Sequence, residues 1–255
     1  MSIIRIIPSL LLRGSGFVKT FRFKDPVYLG DCFNTLRLFN EKEADELMIL
    51  DITATFEHRS PRFDFLRDLA SECFMPLGYG GGIQSISDMR RLFSFGFEKL
   101  SLNTAAFKNP GMIKEAAREF GSQSVIVSID FRKKFLGGYE VYVNGGRERT
   151  GFDPIQAAML AEEMGAGEIL LNSIDRDGTM QGYELEIIRK VADAVTIPVI
   201  ACGGAGSLDD FKRAIHEGHA SAVAAGSFFV FNGKHKAVLI SYPAHEISKT
   251  KIGNI

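Results

Sequence analysis

Asp130 closes an apolar run, Val125-Ile126-Val127-Ser128-Ile129, so a carboxylate stands where a buried strand reaches its end. Such a group can take or give a proton within hydrogen-bond reach of a held substrate. A helix cap or a structural acceptor is the plainer use of the same residue. A second chemistry is written in glycine. Gly80-Gly81-Gly82 and Gly203-Gly204-Ala205-Gly206 each follow an apolar run and precede a helical stretch. Without Cβ atoms, their backbone N–H groups can approach a phosphate, and a helix start adds positive potential. Either loop alone could merely turn the chain; two of them suggest a long ligand with a phosphate at each end. Gly82, Asn103 and Thr104 would serve the first phosphate, and Asp177, Gly178, Gly204, Ala225 and Gly226, with Ser227, the second. Four charges, Arg5, Glu46, Lys99 and Glu168, sit at the beginnings of other apolar runs, where solvated ends or stabilising pairs are the simplest reading. Cys202 and the five histidines show no nucleophile–base spacing.

The elements that must position these groups alternate along the chain. Apolar runs at Ile3–Leu12, Leu47–Asp51, Met75–Gly78, Lys99–Leu102, Val125–Asp130, Glu168–Asn172, Pro198–Ala201 and Ala222–Ala225 read as parallel strands covered on both faces. Amphipathic stretches at Asp31–Phe39, Arg62–Ser71, Ser87–Gly96, Pro110–Phe120, Asp153–Glu163, Glu184–Val191 and Leu208–Glu217 read as helices between them. Ser87 and Ser207 are suited to cap the third and seventh, and Gly96 and Gly218 to end them. Eight such rounds with right-handed crossovers predict one α/β domain over 1–255, a (β/α)₈ TIM barrel. Phe131–Gly151, with paired glycines around Tyr139-Glu140-Val141-Tyr142-Val143, reads as a hairpin inserted above strand five. Pro243 breaks what should be the eighth helix.

The chain also repeats at about 120 residues. Ile6-Ile7-Pro8-Ser9-Leu10-Leu11 answers Val125–Asp130, Gly80–Gly82 answers Gly203–Gly206, and Asn103–Ala106 answers Ala224–Ser227. Two similar half-barrels would set their glycine loops on opposite sides of one mouth.

Composition removes several classes. Thirty basic residues against 31 acidic give a net charge of -1, which argues against nucleic acid or an anionic membrane as the main partner. The longest apolar stretches fall well short of the roughly 20 residues that span a bilayer. Three scattered cysteines argue against a disulfide framework or a zinc site and favour a reducing cytoplasm. No metal and no cofactor is expected.

Leu50-Asp51-Ile52-Thr53-Ala54, Gly80-Gly81-Gly82-Ile83, Asn103-Thr104-Ala105-Ala106, Phe120-Gly121-Ser122-Gln123, Gly165–Leu171, Ser173-Ile174-Asp175-Arg176-Asp177-Gly178-Thr179 and Gly203–Gly206 together resemble the cyclase subunit of imidazole glycerol phosphate synthase, from about residue 3 to 230. The resemblance implies a (β/α)₈ barrel that takes ammonia from a separate glutaminase subunit docked at its N-terminal face. It also implies a bis-phosphorylated ribulosyl aminoimidazole substrate at the strand C-termini, worked on by two aspartates. Asp130 matches one of them. Leu11 stands where the other belongs, and leucine cannot transfer a proton. Ser9 and Asp51 lie nearby without obviously replacing it. Arg5, Glu46, Lys99 and Glu168 match the family's charged ring at the ammonia entrance, whose gate they would form.

Ile7-Pro8 with its leucine run, Lys19-Thr20, Phe23-Lys24-Asp25-Pro26 and Phe39-Asn40-Glu41-Lys42-Glu43 are similar to a second-copy branch of that family. That branch is associated with acetamidino sugars of surface polysaccharide. Retained delivery residues beside an altered acid pair imply an ammonia-handling subunit of a glutamine amidotransferase complex, with a sugar amidotransferase as further partner. A histidine-pathway cyclase that tolerates Leu11 is the alternative, and a non-catalytic phosphate-binding scaffold the second.

Overall fold

A computed structural model describes residues 4–233, 235 and 237–243. Eight parallel strands form the barrel: β1 (Arg5–Arg13), β2 (Leu47–Asp51), β3 (Leu77–Gly80), β4 (Lys99–Leu102), β5 (Val125–Lys133), β6 (Glu168–Ser173), β7 (Val199–Cys202) and β8 (Ala222–Ala225). Each pairs with its neighbour in sequence, and β1 pairs in parallel with β8, so the sheet closes without an edge. The expected barrel is therefore present, with strand three shifted two residues from its expected place. Seven helices cover the outside: α1 (Cys32–Glu41), α2 (Phe63–Ser71), α3 (Ile86–Ser94), α4 (Gly111–Phe120), α5 (Pro154–Glu163), α6 (Leu185–Ala192) and α7 (Leu208–His216). Each buries a stripe at helical spacing, such as Leu66, Leu69 and Ala70 on α2, against the outward side chains of the strands.

The cap of α3 is Ser85, not Ser87. Asp88 stands three residues after Ser85, so the Ser85 hydroxyl accepts from the Asp88 N–H while the Asp88 carboxylate accepts from the Ser85 N–H. Ser207 and Asp210 repeat that capping box at α7 as expected, with nearly the same backbone angles at the cap. After β4 and β8 the chain makes a matching short helix, Thr104–Lys108 and Ser227–Val230. The half-barrel repeat thus extends to backbone detail at the loops.

Two insertions and one omission shape the mouth and the seam. Beyond β5, strands Tyr139–Val143 and Glu148–Arg149 form the expected hairpin. A second hairpin, Gly16–Phe21 with Lys24–Asp31, follows β1 and was not foreshadowed by apolar alternation. Its buried positions include Lys19 and Thr20, polar residues that only a distant partner makes tolerable. Where an eighth full helix would lie, the described residues form only the short helix and a two-stranded ribbon, Phe231–Asn232 with Ala237–Val238. Tyr242 fills the gap, its ring stacked on Phe229 at 5.5 Å and its hydroxyl donating to the Asp45 carboxylate at 2.9 Å. No described helix is long and apolar enough to cross a membrane.

Inside the barrel, Ile7, Met48, Ile126, Leu170, Ile200, Cys202, Ala222 and Ala224 make an apolar belt separate from the outer core. Gly78 belongs to this layer, because a Cβ there would lie 2.6 Å from the Met48 methyl. The belt divides the lumen into a charged floor and a polar mouth.

Candidate functional site

The mouth is a cavity of about 950 Å³ at the C-terminal ends of the strands, the end of such barrels where sites are built. Ser9, Leu11, Lys19, Asp130, Asn172 and Asp177 line its centre, and both glycine loops line its walls. Asp130 ends the inward face of β5 and is 8% exposed. It accepts from the Asn172 amide at 3.1 Å and the Ser128 hydroxyl at 3.5 Å, and no cation pairs with it among the described residues. Burial, against the pull of those two hydrogen bonds, pushes its carboxyl up to about 7. A group so poised exchanges protons near neutrality, which suits a general acid or base.

Leu11 lies on the opposite wall, paired across the sheet with Leu50, and brings only carbon to the cavity. Asp51, one residue further along β2, is engaged elsewhere. Its two oxygens each accept from the Arg59 guanidinium at 2.9 Å, and one also accepts from the Thr53 and Ala54 N–H groups at 3.1 Å. That carboxylate holds the loop after β2, with Oδ1 saturated by the loop and both oxygens engaged by Arg59. The mouth therefore contains one buried, unpaired carboxyl.

The two glycine loops meet the requirements of a backbone cradle. Gly81, Gly82, Gly203 and Gly204 all have positive φ. A Cβ at Gly82 would lie 2.7 Å from Ala54 Cβ, and one at Gly204 2.2 Å from the Gly182 carbonyl oxygen. Substituting either glycine would shift backbone, so those residues cannot be changed to test a ligand without disturbing the walls. The Asn103 amide donates to the Ser128 carbonyl at 3.0 Å, and the Thr104 hydroxyl accepts from the Asn144 N–H at 3.0 Å. Asn103 thus ties the loop to β5, and Thr104 ties it to the hairpin above β5. On the other side, Gly226 and Ser227 line the cavity, while Ala225 is 3% exposed behind them. The Asp177 carboxylate accepts from Lys19, from the Thr20 hydroxyl at 2.7 Å and from the Phe23 N–H at 3.3 Å. It pins the first hairpin over the mouth and lays the Lys19 side chain against Gly226, where an added Cβ would meet Lys19 Cε at 3.1 Å.

Sequence reasoning missed Asn172, Ser128 and Arg59 as parts of this site. Inward-facing periodicity on β5 and β6 could have found the first two; the Arg59 contact belongs to an irregular loop that carries no periodic signal.

At the other end of the lumen the four charges form a closed square. Arg5 donates to Glu46 and Glu168 at 2.9 Å each, and Lys99 lies 3.0 Å from Glu168 and 3.5 Å from Glu46. The alternation of sign neutralises the floor without filling it with carbon, and each charge has two opposite neighbours. The four residues named from the sequence are brought together by four different strands or strand entrances.

The model of the family described as "Histidine biosynthesis protein" matches residues 5–236. Among curated proteins, the chain is 49% identical over 249 residues, 98% of each chain, to the "Putative imidazole glycerol phosphate synthase subunit hisF2" of Pseudomonas aeruginosa. It is 52% identical over 240 residues to the "Putative imidazole glycerol phosphate synthase subunit HisF" of Leptospira borgpetersenii, covering 94% of each. It is 47% identical over 228 residues to the imidazole glycerol phosphate synthase subunit HisF of Alkaliphilus metalliredigens, covering 89% of this chain and 90% of that one.

Proposed function

The chain belongs to the histidine biosynthesis protein family as a HisF-type barrel subunit, and from that premise we propose that it handles ammonia within a glutamine amidotransferase complex that amidinates a sugar of surface polysaccharide. The observation that carries this reading is the contrast between the two ends of one lumen. The charged square at the floor is complete. The mouth has lost one of the two acids that cyclisation is expected to use, with Leu11 in its place and Asp51 locked to Arg59. A glutaminase of the HisH type would dock below the square. Neutral ammonia would pass the apolar belt, which disfavours the charged ammonium ion. A ligand bearing phosphates would lie between the two glycine loops, with Asp130 as the single proton-transfer group and Lys19 beside the second phosphate. The chain would act on the cytoplasmic side, with no metal and no cofactor.

Histidine-pathway cyclisation is the second reading, favoured by the name that the Alkaliphilus metalliredigens relative carries. The two are separated by turnover of the bis-phosphorylated ribulosyl aminoimidazole compound in excess ammonium, which bypasses the glutaminase. We expect turnover lower than a two-aspartate barrel by about 10²–10⁴-fold, and Leu11→Asp should raise it by at least about 10²-fold. Full turnover by the unaltered protein would place it in the histidine pathway.

A further inference from the structure

A second groove, of about 490 Å³, opens beside the mouth between the hairpin that follows β1 and the loop that follows β2. Its walls are Val18, Pro26 and Tyr28 on one side and Arg13, Arg59 and Arg62 on the other, with Glu57 as its one carboxylate. It shares Arg13, Pro26 and Thr53 with the main cavity, so the two spaces adjoin.

Two of its guanidiniums are held rigidly by part of their donors and leave the rest unused. Arg59 gives Nε to Glu57 at 2.7 Å and Nη2 to Asp51 and Thr53, while its Nη1 is buried without an acceptor among the described residues. Arg62 gives Nη2 to the Gly14 carbonyl and lays its plane over Phe65 at 4.4 Å, while its Nε is likewise buried without an acceptor. A buried donor without a partner is costly, and orphaned guanidinium N–H groups are matched best by a planar or tetrahedral oxyanion. Arg13 is exposed at the groove's edge, and a Cβ on neighbouring Gly14 would meet nothing within 4 Å, so the entrance is open.

We propose that this groove is a third anion site, distinct from the two glycine cradles, which takes an oxyanion (phosphate or carboxylate) of a small-molecule ligand on Arg13, Arg59 and Arg62. Because it adjoins the mouth, a ligand seated there could extend a further anionic group into it, and the true substrate would then carry more negative charge than two phosphates supply. The assignment does not depend on which reaction the mouth performs.

The test is a titration of the intact protein, labelled with ¹⁵N in arginine and glycine, with inorganic phosphate and separately with acetate at equal ionic strength. The Nε–H signals of Arg59 and Arg62 should shift saturably, and Arg62→Met and Arg13→Ala should each raise the midpoint for the remaining arginine at least ten-fold. The Gly82 and Gly204 amide signals report the cradles in the same experiment, and their midpoint should be unmoved by Arg62→Met. Saturation by phosphate alone assigns the groove to phosphate esters, and saturation by both assigns it to oxyanions in general. Arginine signals that do not shift, or that follow the glycine midpoint and ignore both substitutions, would overturn the third site. Shifts at the arginines with none at the glycines would instead leave the groove standing and remove the cradles.

Discussion

Asp130 shows how one side chain's surroundings set its chemistry. The folded protein keeps its proton up to about pH 7 because burial disfavours the anion, whereas the unfolded carboxyl loses it near pH 4. The folded state therefore binds more protons across that window, and the stability contributed by this residue is full below about pH 4, falls as pH rises, and levels off above 7. Three pH units correspond to at most about 4 kcal/mol. Asp130→Asn, which keeps the shape and cannot ionise, should flatten that slope and be more stable than the unaltered chain at pH 8, by about 2–4 kcal/mol. Urea unfolding at pH 5 and pH 8 measures it; an Asn variant less stable at pH 8 would mean that the carboxylate is held by a favourable partner. The same residue sets a limit on catalysis. A reaction that uses Asp130 as the acid should lose kcat/KM above about pH 7, and one that uses it as the base should gain.

At the scale of elements, the floor square is a device that no single strand contains. Strands β1, β4 and β6 and the entrance to β2 each supply one charge, and barrel closure brings them within 3.5 Å. The pairs are largely buried, so their removal is costly even where their net contribution is small. Arg5→Ala would leave the Glu46 and Glu168 carboxylates sharing Lys99 alone, and a loss of about 2–4 kcal/mol is expected in urea unfolding. High salt should recover part of it, since an uncompensated carboxylate attracts a counterion. An unchanged stability would mean the square is solvated and contributes little. The same variant tests coupling: glutamine-dependent turnover with a glutaminase partner should change more than ammonium-dependent turnover.

At the scale of the whole molecule, the described residues close the barrel with a short helix and a ribbon where an eighth full helix would lie. Tyr242 bridges the seam, joining the last ribbon to β1 and to the entrance of β2 through the Ile6 carbonyl at 3.3 Å and the Asp45 carboxylate. Tyr242→Phe retains the stacking on Phe229 and removes only these bonds. A loss of about 1–2 kcal/mol follows, or a fall in Tm of roughly 2–8 °C for a chain of this size. No change in Tm would show that the ring alone seals the seam. The chain beyond Pro243, where the sequence left the closing helix open, lies outside the described residues.

Period, punctuation and residue type were enough to determine the barrel, its eight strands, the two glycine loops and the hairpin above β5. Those features are local, because a buried parallel strand, a tight turn and a helix cap each leave their mark on consecutive residues. Matching motifs were also enough to single out Asp130, the four floor charges and Leu11. What contacts they make was decided only by closure of the barrel. Whether the Asp51 carboxylate was free depended on Arg59, eight residues away in an irregular loop. The burial of Lys19 became explicable only when Asp177, 158 residues distant, came to meet it. The hairpin after β1 was hidden for the same reason: its pattern answers to partners on β6's loop, not to a face of its own. The orphaned donors of Arg59 and Arg62, too, exist only where two loops from neighbouring strands share one groove. Pairings across that distance in the chain cost loop entropy and are settled by the whole fold, so no window of sequence could display them.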